Sequence, residues 1–512
     1  MKFMVMNKNK QMRRCAAIGI RFVVFVLFLS LLLYGVNRTL TPKYEYANSN
    51  VPTTSTYRGF YDMERNTVDV LLLGSSHMAC GISPQDMYDA AGIRSYNLAN
   101  SLQPAWISYF WLKEALQYQS PRVVVLDCYY LFYTVGVYDT PTRTALDEMR
   151  EGTVKMEAAK ALASMEGGES ELSYHFAAVR FHSRWSQLEE EDFTWAEEKI
   201  GRAMKGLYRA WDVCGVEDFA PIEPDPSDAS VIPEEFDALQ REYLDKIVDL
   251  CEEERIELVL IKTPSASETL ERNAAIRAYA EEHGLTFYDF NEKVLYDEID
   301  FNIATDMWDF KYDGEMNAHA NPSGALKMST FLANALIGVN GLEPVSDSQW
   351  EESRQISEYC WQDFVLPYAG DLLTYLGLLD QDRYSIFIAA KDDASSSLTQ
   401  DVVDAMQSLG FTFDLMDHYR YSYVAIRNGD EITEILSEEE ISVNGALRGG
   451  RVPYFVTSSG FLADNSTSIE IDGEEYSVNS RGLNIVVYDN EMHDVIDSVC
   501  FDTYDSAWTA SR

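Results

Sequence analysis

The chain has 512 residues, enough for two or three domains with sizeable cores. Its 41 basic against 83 acidic side chains give a formal net charge of −42, which excludes nucleic acid as a partner, because phosphate contacts need clustered Lys and Arg. With 31 Tyr, 24 Phe and 9 Trp, the acidity belongs to a folded protein and not to a disordered polymer.

Residues 2 to 14 carry Lys2, Lys8, Lys10, Arg13 and Arg14 and no acid. Residues 15 to 36 are then apolar apart from Arg21 and Ser30, long enough to span ~30 Å of hydrocarbon at ~1.5 Å per residue. The basic flank predicts a single-pass anchor in the cell membrane. Residues 1–14 would be cytoplasmic and the bulk of the chain extracellular. A cleaved signal peptide is the rival, although no A-x-A site follows Val36. Residues 37–60 read as a polar stalk.

From residue 61 the chain alternates strands and helices. Val68 to Leu73 predicts a strand, and Ser83 followed by Pro84 opens a helix to Ala91. "IRSYNLAN" predicts a second strand, and "AWISYFWLKEALQYQ" an amphipathic helix. "PRVVVLDCYYLF" is apolar on both faces, as a sandwiched parallel strand must be. Residues 137 to 240 form an acidic, helix-rich insertion in which His182, Arg184 and Trp185 stand together, either as a lid or as a helix contact. The alternation resumes with "ERIELVLIKTP", "ERNAAIRAYAEEHG" and "LTFYDF". The expectation is a doubly wound α/β layer over 61–343, with its site beyond the carboxyl ends of the strands.

"LLLGSSH" ends the first strand in hydroxyls and an imidazole, which reads either as a nucleophile at a strand tip or as a small-residue turn. Serine catalysis needs a base and an acid to orient it, and His319, in the loop before the helix "GALKMSTFLANALIG", is the candidate base. Alternation points Ser75 away from Ser76, so Ser75 is expected to matter far less to turnover. Six widely spaced cysteines after Cys15, with no C-x-x-C pair, predict neither a zinc site nor a disulfide scaffold, and Cys128 reads as a buried thiol. No metal and no cofactor are expected.

The stretch from about 60 to 340 resembles the SGNH/GDSL hydrolase superfamily, especially its membrane-anchored members similar to the proteins of lipoteichoic acid D-alanylation and alginate O-acetylation. "LLLGSSH", "YNLANSLQP" and "VVVLDCYYLF" resemble the first three blocks. His319, Asn321, Gly324 and Ala325 meet the closing H-x-N-x-x-G-A pattern. The resemblance implies Ser76 as nucleophile, the Ser76 N–H and Asn100 as oxyanion donors, and His319 as base. The family acid, three residues before the histidine, is replaced by Met316, which leaves Asp313 or Glu315 for that role. The third-block asparagine is replaced by Asp127. The implied function is a surface esterase or O-acyltransferase acting on a cell-envelope polysaccharide, with a membrane-bound O-acyltransferase as partner. The rival is a non-catalytic envelope protein that binds glycan or serves as a scaffold.

Residues 344–383 read as a helical linker. Residues 384–512 read as a compact β-rich domain with one helix and hairpin turns at "RNGD" and "IDGE". "SRGLNIVVYD" and "DSVCFDTYD" resemble the interleukin-like EMT inducer (ILEI/PANDER) domain, some members of which are lectin-like. Carbohydrate binding and mere packing are both open for it. Asp392 and Asp393 are expected to cap the helix "LTQDVVDAMQSLG" and not to hold a metal.

Overall fold

The computed structural model describes residues 2–512 apart from 42–52, 135, 137–144, 166, 189–191, 194–202, 209–212, 215–219, 226, 266–267 and 310–318. The chain divides into two units, Met1–Ser357 and Glu358–Arg512.

The first unit opens with one long helix, Lys2–Leu40. Its segment Ala16–Leu40 is long and apolar enough to cross a membrane, and its large side chains from Ile18 to Val36 stand exposed. The α/β layer follows. Five strands, β1 (Val70–Leu73), β2 (Ser95–Asn97), β3 (Val123–Asp127), β4 (Glu257–Lys262) and β5 (Thr286–Asp289), form a parallel sheet in the order β2-β1-β3-β4-β5.

The apolar runs are explained by burial on both faces. Leu71, Leu73, Val124, Leu126, Leu258 and Leu260 join the core under the helices Ala105–Ala115 and Ala238–Glu254. Their alternates Val70, Leu72, Val123, Val125, Val259 and Ile261 join the core under Pro84–Ala91 and Pro322–Leu336. The layer is therefore doubly wound, as its sequence pattern predicts. Ser83 caps Pro84–Ala91 by accepting from the Asp86 N–H, and Gly92 ends that helix in the left-handed region. Strand order reverses between β1 and β3, so the carboxyl ends of these two strands flank the crevice where such sheets hold ligands.

The described parts of the insertion are mostly short helices. The segment at 203–208 meets the outer edge of β2, where Asn97 N–H donates to Lys205 O at 2.9 Å. Gly206 (φ +87°) permits this approach, since a Cβ there would lie 1.8 Å from Asn97 O. Arg184 turns to the end of the N-terminal helix, donating to Leu40 O, and pairs with Asp192. These are helix contacts and give no support to a lid.

The second unit holds two antiparallel sheets. One has the order β10-β9-β8-β15-β16-β17, from β8 (Tyr384–Lys391), β9 (Ser422–Asn428), β10 (Glu431–Ser437), β15 (Gly482–Asp489), β16 (Asp494–Phe501) and β17 (Ala510–Ser511). The other has the order β11-β12-β13-β14, from β11 (Ile441–Leu447), β12 (Val452–Ser459), β13 (Ser466–Ile471) and β14 (Glu474–Glu475). Along β8, Phe387 and Ala389 face the second sheet, while Ile386, Ile388 and Ala390 face the helices Leu372–Leu378 and Gln400–Ser408. Leu372, Tyr375 and Leu376 belong to this core, so part of the stretch that reads as a linker is integral to the unit.

The motif residues here perform internal work. Arg481 pairs with Asp502, Asn484 ties down the Ser480 backbone, and the buried Thr503 donates to Ala394 O. Gly482 (φ +114°) has no substitute, because a Cβ would meet Phe501 O at 2.0 Å. The expected cap is corrected. Asp393 accepts from the N–H groups of Ser395 and Ser396 in the preceding turn, and the helix starts only at Gln400, with Thr399 at its N-cap. A side chain that near can satisfy its own turn first.

Candidate active site

Strand β1 delivers Gly74, Ser75 and Ser76 to the crevice. Gly74 has φ +148°, and a Cβ on it would lie 2.6 Å from Asp127 Cβ, so only glycine lets the tips of β1 and β3 come this close. Ser75 then caps the short helix Ser76–Gly81 by accepting from the His77 N–H, and its own hydroxyl donates to Asp127 Oδ2 at 3.0 Å. With Ser75 facing inward, Ser76 faces the crevice, half-buried. As the first residue of a helix, Ser76 has an N–H with no intrahelical acceptor.

His319 arrives from the other end of the chain. It begins β7 (His319–Ala320), which pairs antiparallel with β6 (Met307–Asp309) and places Asp309 opposite His319 in register. The pattern after it has a physical reading. Asn321 caps the helix Pro322–Leu336 by accepting from the N–H groups of Ser323 and Gly324. Gly324 lies so near Asp306 O that a Cβ would sit 2.2 Å away. Thus anchored, His319 puts Nε2 2.8 Å from Ser76 Oγ, two residues 243 positions apart.

Asn100 follows β2, and its N–H donates to Gly74 O at 3.3 Å. Its Oδ1 accepts from the Ser101 N–H, which leaves Nδ2 buried and without a partner among the described residues. A buried amide donor left open is costly unless something binds there, and the Asn100 backbone ties it to Gly74, two residues before Ser76.

Asp127 is an acceptor at the tip of β3, taking the Ser75 hydroxyl and the Tyr129 N–H. Burial pushes its carboxyl up to about 6 against the opposing pull of the Ser75 bond. It therefore stiffens the floor of the crevice and does not replace an asparagine donor. Of the two candidate acids, Asp313 and Glu315 both lie outside the described residues.

The His77 imidazole has no assigned role in the sequence reading, and Lys262 was not singled out there. His77 is buried, stacks on Tyr129 with centroids 3.6 Å apart, and lies 4.8 Å from the His319 ring. Lys262, at the tip of β4, is fully buried and paired with Glu268, and burial lowers its ammonium to about 8, with Asp289 opposing. A lysine closing an otherwise apolar strand was the available signal for the second.

The arrangement can activate a hydroxyl, because Ser76 Oγ and His319 Nε2 stand within hydrogen-bond reach, and Asn100 Nδ2 is an unspent donor. Among the described residues no group of three His, Cys, Asp or Glu is placed to hold a metal ion.

Compared with protein families and with curated proteins, the chain matches none. Solved structures do align with it, two of which follow. One, a candidate acylhydrolase from Bacteroides fragilis, is 12% identical, with 57% of this chain and 97% of that one covered and a TM-score of 0.25. The other, a GDSL-like lipase from Bacteroides thetaiotaomicron, is 13% identical, with 55% and 98% covered and a TM-score of 0.24.

Proposed function

We propose that the first unit is an SGNH-type serine esterase or O-acyltransferase, anchored at the cell surface by its N-terminal helix and acting on an envelope polysaccharide. The observation that carries the proposal is the 2.8 Å contact between Ser76 Oγ and His319 Nε2. The unspent Asn100 Nδ2 supports it.

In this reading Ser76 Oγ attacks the ester carbonyl carbon as its proton passes to His319 Nε2. The Ser76 N–H and Asn100 Nδ2 stabilise the oxyanion, each such donor being worth ~3 kcal/mol of barrier. The ester C–O bond breaks, the departing alcohol takes the proton from His319, and the acyl group stays on Ser76. Water or a sugar hydroxyl then gives its proton to His319 and attacks the acyl carbon, and Ser76 recovers the proton as it leaves. Water makes the protein an esterase; a sugar hydroxyl makes it a transferase, with a membrane-bound O-acyltransferase as its supplier of acyl groups. Half-buried rings flank the histidine pair, Tyr129 against His77 and Trp308 5.9 Å from His319, and favour a ring-shaped substrate. The second unit, read as ILEI/PANDER-like, would bind glycan.

A fluorophosphonate probe should label the wild-type chain and fail on Ser76→Ala. Equal labelling of both would move the nucleophile elsewhere, and labelling of neither would favour a non-catalytic glycan-binding or scaffold role.

A further inference from the structure

We propose that the insertion carries a second membrane contact: an apolar face, centred on Trp185, that lies in the interfacial layer of the membrane crossed by the N-terminal helix. It rests on the reading of that helix as an anchor.

The first observation is attachment. The short helices Ala177–Arg180 and His182–Ser186 pack on the carboxyl end of Lys2–Leu40. Arg184 donates to Leu40 O at 2.9 Å, and the Asn37 amide donates to His175 O at 3.4 Å. This part of the insertion is therefore held level with the last turn of the helix, just past the apolar run ending at Val36, where a membrane gives way to water.

The second observation is an inverted surface. Leu172, Phe176, Val179, Trp185 and Phe193 are exposed, Trp185 at 73% and Phe193 at 65%. The two arginines among them are paired: Arg180 with a nearly buried Asp147, and Arg184 with a nearly buried Asp192. A surface meant for water would do the reverse, and clustered exposed apolar side chains mark an interaction site. Tryptophan and phenylalanine favour the headgroup boundary, and an interfacial face seats ~5–10 Å into it. A chain with a net charge of −42 draws no electrostatic help from anionic lipid, so apolar insertion is the contact open to it.

The test uses the full chain reconstituted into phosphatidylcholine vesicles whose acyl chains are brominated near the headgroup. Flotation with the vesicles after an alkaline wash reports the anchor, and failure there removes the anchor reading itself. The N-terminal helix contains no tryptophan, so quenching in a floating chain reports the rest of the molecule. The expected result is a quenched component of the tryptophan emission that is lost in Trp185→Phe, regained on adding Phe193→Trp to that variant, and unchanged in Trp361→Phe. Equal quenching of wild type and Trp185→Phe, or no quenching in a chain that floats, overturns the proposal.

Discussion

Ser75 and Asp127 share a 3.0 Å hydrogen bond one residue before Ser76, and both are almost fully buried. Ser75 thus holds the strand tip in the attitude that presents Ser76. Ser75→Ala removes a helix cap, worth about 1 kcal/mol, and strands a carboxyl oxygen, at a cost of about 1–3 kcal/mol. The variant should melt at a lower temperature while still accepting the fluorophosphonate. Ser76→Ala should melt like wild type and accept none. A Ser75→Ala chain as stable as wild type would contradict the role given to the pair.

Asn100→Ala should lower kcat by about 100- to 1,000-fold if Nδ2 binds the oxyanion. Because the unspent donor is a burden to the resting protein, the same change should leave stability unaltered or raised. A large loss of stability with little loss of kcat would make Asn100 a structural residue.

Three carboxylates are candidates to orient His319: Asp309, opposite it in register, and Asp313 and Glu315, which lie between the two strands in sequence. Asp309→Asn, Asp313→Asn and Glu315→Gln should separate them. The orienting acid is the one whose loss lowers kcat most yet leaves activity above the Ser76→Ala level, since members of such a unit are not additive. Three variants with unchanged kcat would show that His319 works without a carboxylate.

The raised Asp127 carboxyl has a sign that can be checked. Between its unfolded value of 3.8 and about 6 the folded chain holds a proton that the unfolded chain has lost. Stability therefore falls as pH rises through that window, by roughly 3 kcal/mol from this group. In melts from pH 4 to 7, Asp127→Asn should flatten this part of the fall. Parallel profiles for both proteins would place the titration elsewhere.

For the second unit, a fragment beginning at Glu358 should melt cooperatively, whereas one beginning at Gln381 should not. The shorter fragment lacks Leu366, Leu372, Tyr375 and Leu376, which fill the core beneath the six-stranded sheet. It also lacks Asp363, which pairs with the buried Arg383. Equal melting of the two would make the helix Leu372–Leu378 dispensable.

The strands and long helices were legible because burial leaves a periodic mark: β1 and β3 are apolar on both faces, and Ser83-Pro84 is a readable start. The pairing of Ser76 with His319 was suggested by the place of His319 before the last helix of the layer and strengthened by motif resemblance, since no local pattern links residues so far apart. What stayed hidden is short or directional. The helix Ser76–Gly81 and the pairing of β6 with β7 are too brief to show a period. Whether Asp393 caps a helix or its own turn depends on where that helix begins. The inward hydroxyl of Ser75 looked idle because its partner, Asp127, lies 52 positions away on another strand.

The carbonyl of Lys205 resting on the amide of Asn97 has a consequence for the colloidal behaviour of the chain. Strand β2 is the rim of the parallel sheet, and a rim with free amides is a template on which a strand of another molecule can grow. Here the Asn97 amide at the end of that rim is taken by the returning insertion, and Gly206 is what lets the two backbones sit close enough. The insertion is thus also a guard at that rim, and because Tyr208 N–H donates to Ala79 O and Cys214 N–H to Met307 O, a chain shortened across it would lose contacts to the crevice as well.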